Sequence, residues 1–303
     1  MTDLTVFQQK ISALLPSVEL RFQELLSAHT SFRIGGAAEV MAFPKTAEEL
    51  GEILKASTLL DCKPVILGAG TNVLAPDDGI SGLVICLKDC LDGMEFLDDD
   101  RIRVMAGVTM TRAAVFAANH GLSGLEFAHG IPGTVGGGVY MNAGAYGGEI
   151  CQVCTQVAVM DYAGNIHIYS NSDMAFSYRK SRLEEEPGIV IYADFQLKKG
   201  SSEDIRSHMR ELIEKRSKSQ PLDLPSAGSA FKRPVGGYAA ALIDEAGLKG
   251  FRVGDAGVSE KHAGFVVNLG NATARDVKEL LFRVSDTVFE RSGIRLEPEV
   301  RIW

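Results

Sequence analysis

The stretch PVILGAGTNVL, residues 64–74, carries a short apolar run straight into two glycines, a threonine and an asparagine. Residues 64–67 read as a short buried strand ending at glycine. Gly68, Ala69, Gly70, Thr71 and Asn72 then admit two readings. They form a nest of backbone amides and side-chain donors for a pyrophosphate, or they form a plain tight turn. They are not the G-x-G-x-x-G fingerprint of the parallel dinucleotide-binding fold. Val73 stands where its third glycine would be, and no helical pattern starts there.

The elements around this stretch are mixed. Residues 46–59 read as a helix with Thr46 as N-cap and Glu49 three residues on, a capping-box spacing. Residues 83–87 and 101–106 are strand-like, and 109–120 is a helix that stops at Gly121. Residues 153–160, 166–169 and 189–197 read as strands. A charged amphipathic helix at 203–218 leads to Pro221 and Pro225, so a domain boundary falls near 198–225. Beyond it come a short helix (238–246), a strand (264–269), a helix from Thr273 to Arg291, and the strand-like ending LEPEVRIW. Pro298 restricts that ending to an edge or a strand start. Strict strand–helix alternation is absent, so the pattern predicts an α+β fold.

Bulk properties exclude several function classes. The chain has 303 residues, 46% hydrophobic and 23% charged, with a net charge of −8. It is long enough for one large or two modest domains. No basic stripe points to nucleic acid. No apolar run reaches the length of a membrane span, and the polar start MTDLTVFQQK lacks the apolar run of a secretion signal. A cytoplasmic location is expected. The five cysteines are an odd number, which fits reduced thiols. Cys151 and Cys154 have C-x-x-C spacing, but no second pair completes a zinc set. The six histidines form no metal-binding spacing, so no metal is expected.

Residues 130–148, GIPGTVGGGVYMNAGAYGG, are dense in glycine yet interleaved with Ile131, Val135, Val139, Tyr140 and Met141. Apolar residues at that density argue against a linker and for backbone packed against a large flat ligand; a flexible loop is the other reading. Arg179 and Glu299 read alone as a solvated cation and an exposed strand carboxylate. Ser229-x-x-Lys232, within AGSAFKRP (227–234), has the spacing that opens penicillin-binding active sites. The S-D-N-like and K-T-G-like partners of that chemistry are missing, so the acyl-transfer reading falls away.

Seven motifs in order resemble one family: TSFRIGG (30–36), LGAGTNVL (67–74), GIPGTVGG (130–137), YMNAGAYGGE (140–149), YRKS (178–181), AGSAFK (227–232) and LEPEVR (296–301). Together they resemble the UDP-N-acetylenolpyruvoylglucosamine reductases, flavoenzymes that make UDP-N-acetylmuramate for peptidoglycan. The resemblance runs from about residue 29 to the C-terminus. It implies a vanillyl-alcohol-oxidase-type FAD-binding fold with a C-terminal α+β substrate-binding domain. The expected division is 1–198 for FAD, in subdomains of about 1–87 and 88–198, and 199–303 for substrate, with the C-terminal strand returning to the active site.

On that resemblance Arg179, Ser229 and Glu299 carry the chemistry. Arg33, Gly68, Ala69, Gly70, Thr71, Asn72, Gly130, Ile131, Pro132, Gly133, Thr134, Gly136 and Gly137 hold FAD. Tyr178, Lys232, Arg233, Lys261 and His262 are the candidates for the sugar nucleotide. No histidine lies in the G-A-G-T-N loop, so FAD is expected to be bound without a covalent link. The implied reaction takes hydride from NADPH to FAD and then from flavin N5 to C3 of the enolpyruvyl group, with a proton from Ser229 to C2. The chain resembles the short class of the family, which lacks an extra tyrosine-bearing loop. Arg233 stands where the family often has asparagine. The alternatives are another FAD-dependent hydroxy-acid or alcohol oxidoreductase of the same fold, and a non-catalytic flavin-binding sensor.

Overall fold

A computed structural model describes residues 4–88 and 90–303; residues 1–3, where the polar N-terminal stretch begins, and Asp89 lie outside the described residues. The chain forms two compact units built from interleaved segments. One comprises residues 1–22, 39–69 and 81–215; the other comprises 23–38, 70–80 and 216–303. The G-A-G-T-N loop therefore changes unit between Ala69 and Gly70.

Two sheets organise the first unit. In the four-stranded sheet, most of which belongs to this unit, the order is Glu19–Leu25, Ala37–Phe43, Ile80–Cys86, Val65–Leu67. Val65–Leu67 runs parallel to Ile80–Cys86, with Val65 opposite Val84. Helix Ala47–Leu59 supplies Leu50, Ile53 and Leu54 to the core, all fully buried. The Thr46 hydroxyl caps it by accepting from the Glu49 amide at 3.2 Å. The expected reciprocal bond goes elsewhere: the Glu49 carboxylate accepts from the Lys45 amide at 2.7 Å. That carboxylate still satisfies an amide beside the helix start.

The five-stranded sheet has the order Ile166–Ser170, Cys154–Met160, Ile189–Gln196, Arg101–Met105, Met94–Phe96, antiparallel throughout. Its central strand, Ile189–Gln196, is buried along nearly its whole length, as an apolar run without strict alternation suggests. Helix Met110–Asn119 is capped by Thr109 and ends before Gly121 at φ +67.

The glycine-rich stretch holds an element that sequence reading leaves out, the helix Val135–Tyr140. Glycine disfavours helix by about 1 kcal/mol per residue relative to alanine. Close packing overrides that preference. A Cβ on Gly136 would lie 3.0 Å from the Ala106 Cβ, and one on Gly138 would lie 2.7 Å from the Met110 sulfur.

The second unit has a four-stranded antiparallel sheet ordered Ser226–Ser229, Phe265–Asn268, Ala256–Val258, Arg252–Val253. Helix Ala274–Ser292 buries Val277, Leu280, Leu281, Val284 and Val288, the spacing of one apolar face. Thr273 and Asp276 form its complete capping box, and Gly293 ends it at φ +72. Phe32, Ile34, Leu74 and Phe231 belong to the same core. The buried Asn268 side chain donates to the Phe32 carbonyl at 3.1 Å and accepts from the Gly270 and Ala272 amides.

Candidate functional site

Ser229 and Glu299 meet through backbone pairing in the second unit. Ser229 ends the strand Ser226–Ser229 opposite Phe265, after an irregularity at Gly228, whose φ is +78. The chain then pairs with the C-terminal segment. Phe231 and Pro298 form an antiparallel bridge. The Lys232 amide donates to the Glu297 carbonyl at 2.9 Å, and the Glu299 amide donates to the Ala230 carbonyl at 2.8 Å. Pro298 has no amide to give, and its position between these two bonds asks for none. Ser229 is exposed and Glu299 is half-buried.

Asn72 belongs to the same assembly. Its side-chain nitrogen donates to the Glu299 carbonyl at 3.3 Å. Its own carbonyl accepts from the Arg301 amide at 2.9 Å. Arg301–Ile302 then runs parallel to Val73–Leu74. The LEPEVR and GAGTN motifs, far apart in sequence, are thus stitched into one local structure.

Gly70 is a packing glycine. Its φ is +62, and a Cβ there would lie 2.1 Å from the His29 carbonyl oxygen. The Ser31 amide donates to the Gly70 carbonyl at 3.0 Å, and the Ser31 hydroxyl donates to the Ser226 carbonyl at 2.6 Å. The TSFRIGG motif is therefore bound through Ser31 to both the glycine loop and the serine strand, by its amide to the first and its hydroxyl to the second. Arg33, in this motif, has φ +55 and is exposed. Thr71 is half-buried beside Asn72.

The other substrate candidates of the second unit have partners of their own. The Lys232 ammonium lies 3.5 Å from a Glu297 carboxylate oxygen. The Arg233 guanidinium sits over the Tyr238 ring, 4.3 Å from its centroid. Lys261 donates to the Ser217 carbonyl at 2.7 Å. His262 Nδ1 accepts from the Gly264 amide at 3.1 Å, and burial lowers the pKa of its imidazole. Its ring is therefore neutral at pH 7 and offers Nε2–H as a donor rather than a full positive charge.

In the first unit Gly68, Thr134 and Gly137 surround one hydroxyl. A Cβ on Gly68 would lie 3.4 Å from Thr134 Oγ1, and one on Gly137 would lie 3.7 Å from it; the Gly137 amide donates to the same hydroxyl at 3.4 Å. Ala69 follows half-buried. Several amides of 130–137 are already committed to protein: Gly130 to Thr111 Oγ1, Ile131 to Ala128, Val135 to Val108 and Gly136 to Ala106. Gly133 has φ +124 and its carbonyl accepts from the Met110 amide. Pro132 is exposed, and Ile131 packs on the core from a half-buried position.

Arg179 sits in a tight turn. Ser177 and Lys180 exchange both backbone hydrogen bonds, at 3.0 and 3.1 Å, leaving Tyr178 and Arg179 at the tip. Arg179 has φ +57, a left-handed conformation that an ordinary residue enters at a cost of about 1–3 kcal/mol. Its guanidinium donates to the Gly144 carbonyl at 3.3 Å and lies 5.0 Å from the Tyr178 ring centroid.

Similarity to known proteins extends over nearly the whole chain. A model described as UDP-N-acetylenolpyruvoylglucosamine reductase, C-terminal domain, matches residues 220–303, and an FAD binding domain model matches 38–170. The UDP-N-acetylenolpyruvoylglucosamine reductase of Caldanaerobacter subterraneus subsp. tengcongensis is 44% identical over 297 residues, covering 98% of each chain. That of Clostridium tetani is 43% identical over 288 residues, covering 95% of this chain and 93% of its own. The chain belongs to the UDP-N-acetylenolpyruvoylglucosamine reductase family. The crystal structure of the family member from Thermus caldophilus superposes with a TM-score of 0.78 at 38% identity, covering 94% of this chain and 98% of that one. The fold is thus the family's vanillyl-alcohol-oxidase-type FAD-binding fold with its C-terminal domain, as the motifs imply.

The residues present fit the reductase family's FAD. Gly68 carries no side chain, and the nearest group where one would stand is the Thr134 hydroxyl at 3.4 Å, so a ligand can approach main chain there. The cysteines do not compete for the redox role. All five are free thiols; burial pushes Cys90 and Cys154 up to about 12 and raises Cys62 and Cys151 as well. A protonated buried thiol is a poor nucleophile. Among the described residues no cluster of metal-ligating side chains occurs, and no helix is long and apolar enough to cross a membrane.

Proposed function

We propose that the chain reduces UDP-N-acetylglucosamine enolpyruvate to UDP-N-acetylmuramate with NADPH, in the cytoplasm, as a step of peptidoglycan synthesis. The observation that carries the reading is identity to named reductases over 98% of the chain, with a reductase C-terminal domain match at 220–303. That match also weighs against a different oxidoreductase built on the same FAD-binding fold. By function, residues 1–198 serve FAD and residues 199–303 serve the substrate.

FAD, bound without a covalent link, supplies hydride transfer from NADPH to C3 of the enolpyruvyl group. Gly68, Ala69, Gly70, Thr71 and Asn72 bind its pyrophosphate; Gly130, Ile131, Pro132, Gly133, Thr134, Gly136 and Gly137 line it, and Arg33 orients it. The approachable backbone at Gly68 supports that assignment. Gly70 and Asn72 also hold the loop in shape, through the Gly70 carbonyl and through the side chain and carbonyl of Asn72.

The substrate sets the demand on the remaining residues. Hydride at C3 leaves negative charge at C2, delocalised into the neighbouring carboxylate. A fixed cation must face that charge. Arg179 takes this role, because its planar fork matches a carboxylate and stays charged. The Ser229 hydroxyl gives the proton to C2. A serine is a weak acid, but a C2 carbanion is a strong base, so transfer is downhill. Glu299, whose amide is bonded to the Ala230 carbonyl beside Ser229, orients the reacting groups in its protonated or paired form, since an ionised carboxylate would repel the developing charge. Tyr178, Lys232, Arg233, Lys261 and His262 bind the sugar nucleotide, His262 as a neutral donor.

The test is NADPH consumption by the FAD-loaded protein with and without UDP-N-acetylglucosamine enolpyruvate, followed by mass analysis of the nucleotide product. Substrate-dependent oxidation with a product two hydrogens heavier supports the reading. Oxidation that ignores the enol ether, with the nucleotide unchanged, refutes it.

A further inference from the structure

One buried side chain outside every motif role assigned above is bonded to both pieces of chain around Arg179. Asn142, in YMNAGAYGGE, is 1% exposed and has φ +41. Asparagine is among the few residues that tolerate this left-handed conformation. Its amide is committed on both ends. The nitrogen donates to the Ser177 carbonyl at 3.0 Å and to a Glu149 carboxylate oxygen at 3.1 Å; the oxygen accepts from the Cys151 amide at 3.0 Å.

These partners belong to the two pieces of chain that hold Arg179. Ser177 is the first residue of the tight turn with Arg179 at its tip. Glu149 ends the return strand of the small hairpin in which Gly144 pairs with Glu149 and Ala145 pairs with Gly148, and Cys151 follows it. The carbonyl of Gly144 accepts from the Arg179 guanidinium at 3.3 Å. A single amide group thus ties the turn that carries Arg179 to the return side of the hairpin whose first strand its guanidinium touches. Steric locks leave the hairpin little freedom: a Cβ on Gly144 would lie 2.7 Å from the Gly148 carbonyl oxygen, and one on Gly148 would lie 2.6 Å from the Phe127 ring. The turn has a second anchor in Ser181, fully buried, whose hydroxyl donates to the Tyr140 carbonyl at 2.8 Å.

We infer that Asn142 is a positioning residue for the reduction of the enolpyruvyl group, acting through Arg179; the inference rests on the role proposed for Arg179 above. No other side chain of its size supplies two donors and an acceptor in this arrangement. Aspartate keeps the acceptor for Cys151 but faces the Ser177 carbonyl and the Glu149 carboxylate without donors. Serine is too short to span the three partners. Misplacement of a catalytic group by about 1 Å can cost roughly a hundredfold in rate.

The experiment uses FAD-loaded protein carrying Asn142→Asp or Asn142→Ser, with and without Arg179→Ala. Reduction by NADPH and reoxidation by UDP-N-acetylglucosamine enolpyruvate are timed separately, and amide hydrogen exchange is read at Ser177 and Lys180. Either Asn142 variant is expected to slow saturated reoxidation by roughly a hundredfold, with reduction changed less than about threefold. Exchange at Ser177 and Lys180 rises in the same variants. In the Arg179→Ala background the Asn142 change removes less than about threefold more, because the two act as one unit. Full additivity of the two losses, equal damage to both half-reactions, or failure of both Asn142 variants to fold overturns the inference. Normal reoxidation by Arg179→Ala alone instead removes the role of Arg179 itself, an outcome the single variants keep distinct.

Discussion

The side chain of Asn72, in the glycine loop, donates to the carbonyl of Glu299, near the C-terminus, at 3.3 Å. The Arg301 amide returns a bond to the Asn72 carbonyl at 2.9 Å. A residue assigned to the cofactor on its motif thereby sets the path of the segment that carries Glu299 into the strand Arg301–Ile302. Replacing Asn72 with alanine should lower stability by about 1 kcal/mol, the usual net worth of one such bond. The shift is read from the urea midpoint. Reoxidation by the enol ether should suffer more than reduction by NADPH in the same variant.

Gly68 and Gly70 should respond in opposite ways to the same substitution. Alanine at 70 sets a methyl group 2.1 Å from the His29 carbonyl oxygen and keeps a φ of +62. A loss of more than about 3 kcal/mol is expected, combining overlap with backbone strain. Alanine at 68 meets only Thr134 Oγ1 at 3.4 Å, an ordinary contact. Its melting temperature without FAD should stay close to that of the parent while flavin retention on a desalting column falls.

His262 gives a pH signature. Burial lowers its pKa from 6.5, so the unfolded chain takes up the proton first as the pH falls. Stability is then complete above 6.5 and declines as the pH drops from that value toward the lower folded pKa. His262→Gln should flatten the dependence of the urea midpoint on pH in that window. An unchanged slope would assign the decline to other groups.

The thiols should be silent in the folded protein. Cys90 and Cys154, pushed up to about 12, should resist a thiol reagent at pH 8 until denaturant is added. Peptide mapping after brief labelling checks this residue by residue.

Much of the fold is legible in the sequence where local rules and packing agree. Thr46, Thr109 and Thr273 mark helix starts, and each hydroxyl accepts from the amide three residues on. The amphipathic run after Thr273 buries the face its spacing implies. Legibility fails where tertiary contacts overrule propensity. The helix Val135–Tyr140 forms from glycines because Ala106 and Met110 leave no room for side chains. The strand Ala37–Phe43, buried on most of its length, lies beside the TSFRIGG motif and carries no clear alternation to reveal it.

The candidate site divides the same way. The residues with motif roles stand out only as a set in register, since Arg179 and Glu299 look ordinary alone. The bonds that position them are long-range. Asn72 reaches Glu299 across 227 residues, and Asn142 reaches Ser177 across 35. No local pattern announces such partners. The signal within reach was chemical: an asparagine inside a glycine-rich, apolar stretch has amide groups that burial obliges it to satisfy.

The central claim is that Ser229 delivers the proton and takes no part in flavin reduction. The direct measurement is flavin absorbance of FAD-loaded Ser229→Ala in two stages. NADPH should bleach the band at a rate within about twofold of the parent, while UDP-N-acetylglucosamine enolpyruvate should restore it at least a hundredfold more slowly, in keeping with loss of a general acid. Restoration at the parental rate, or an equal loss in both stages, would contradict the account.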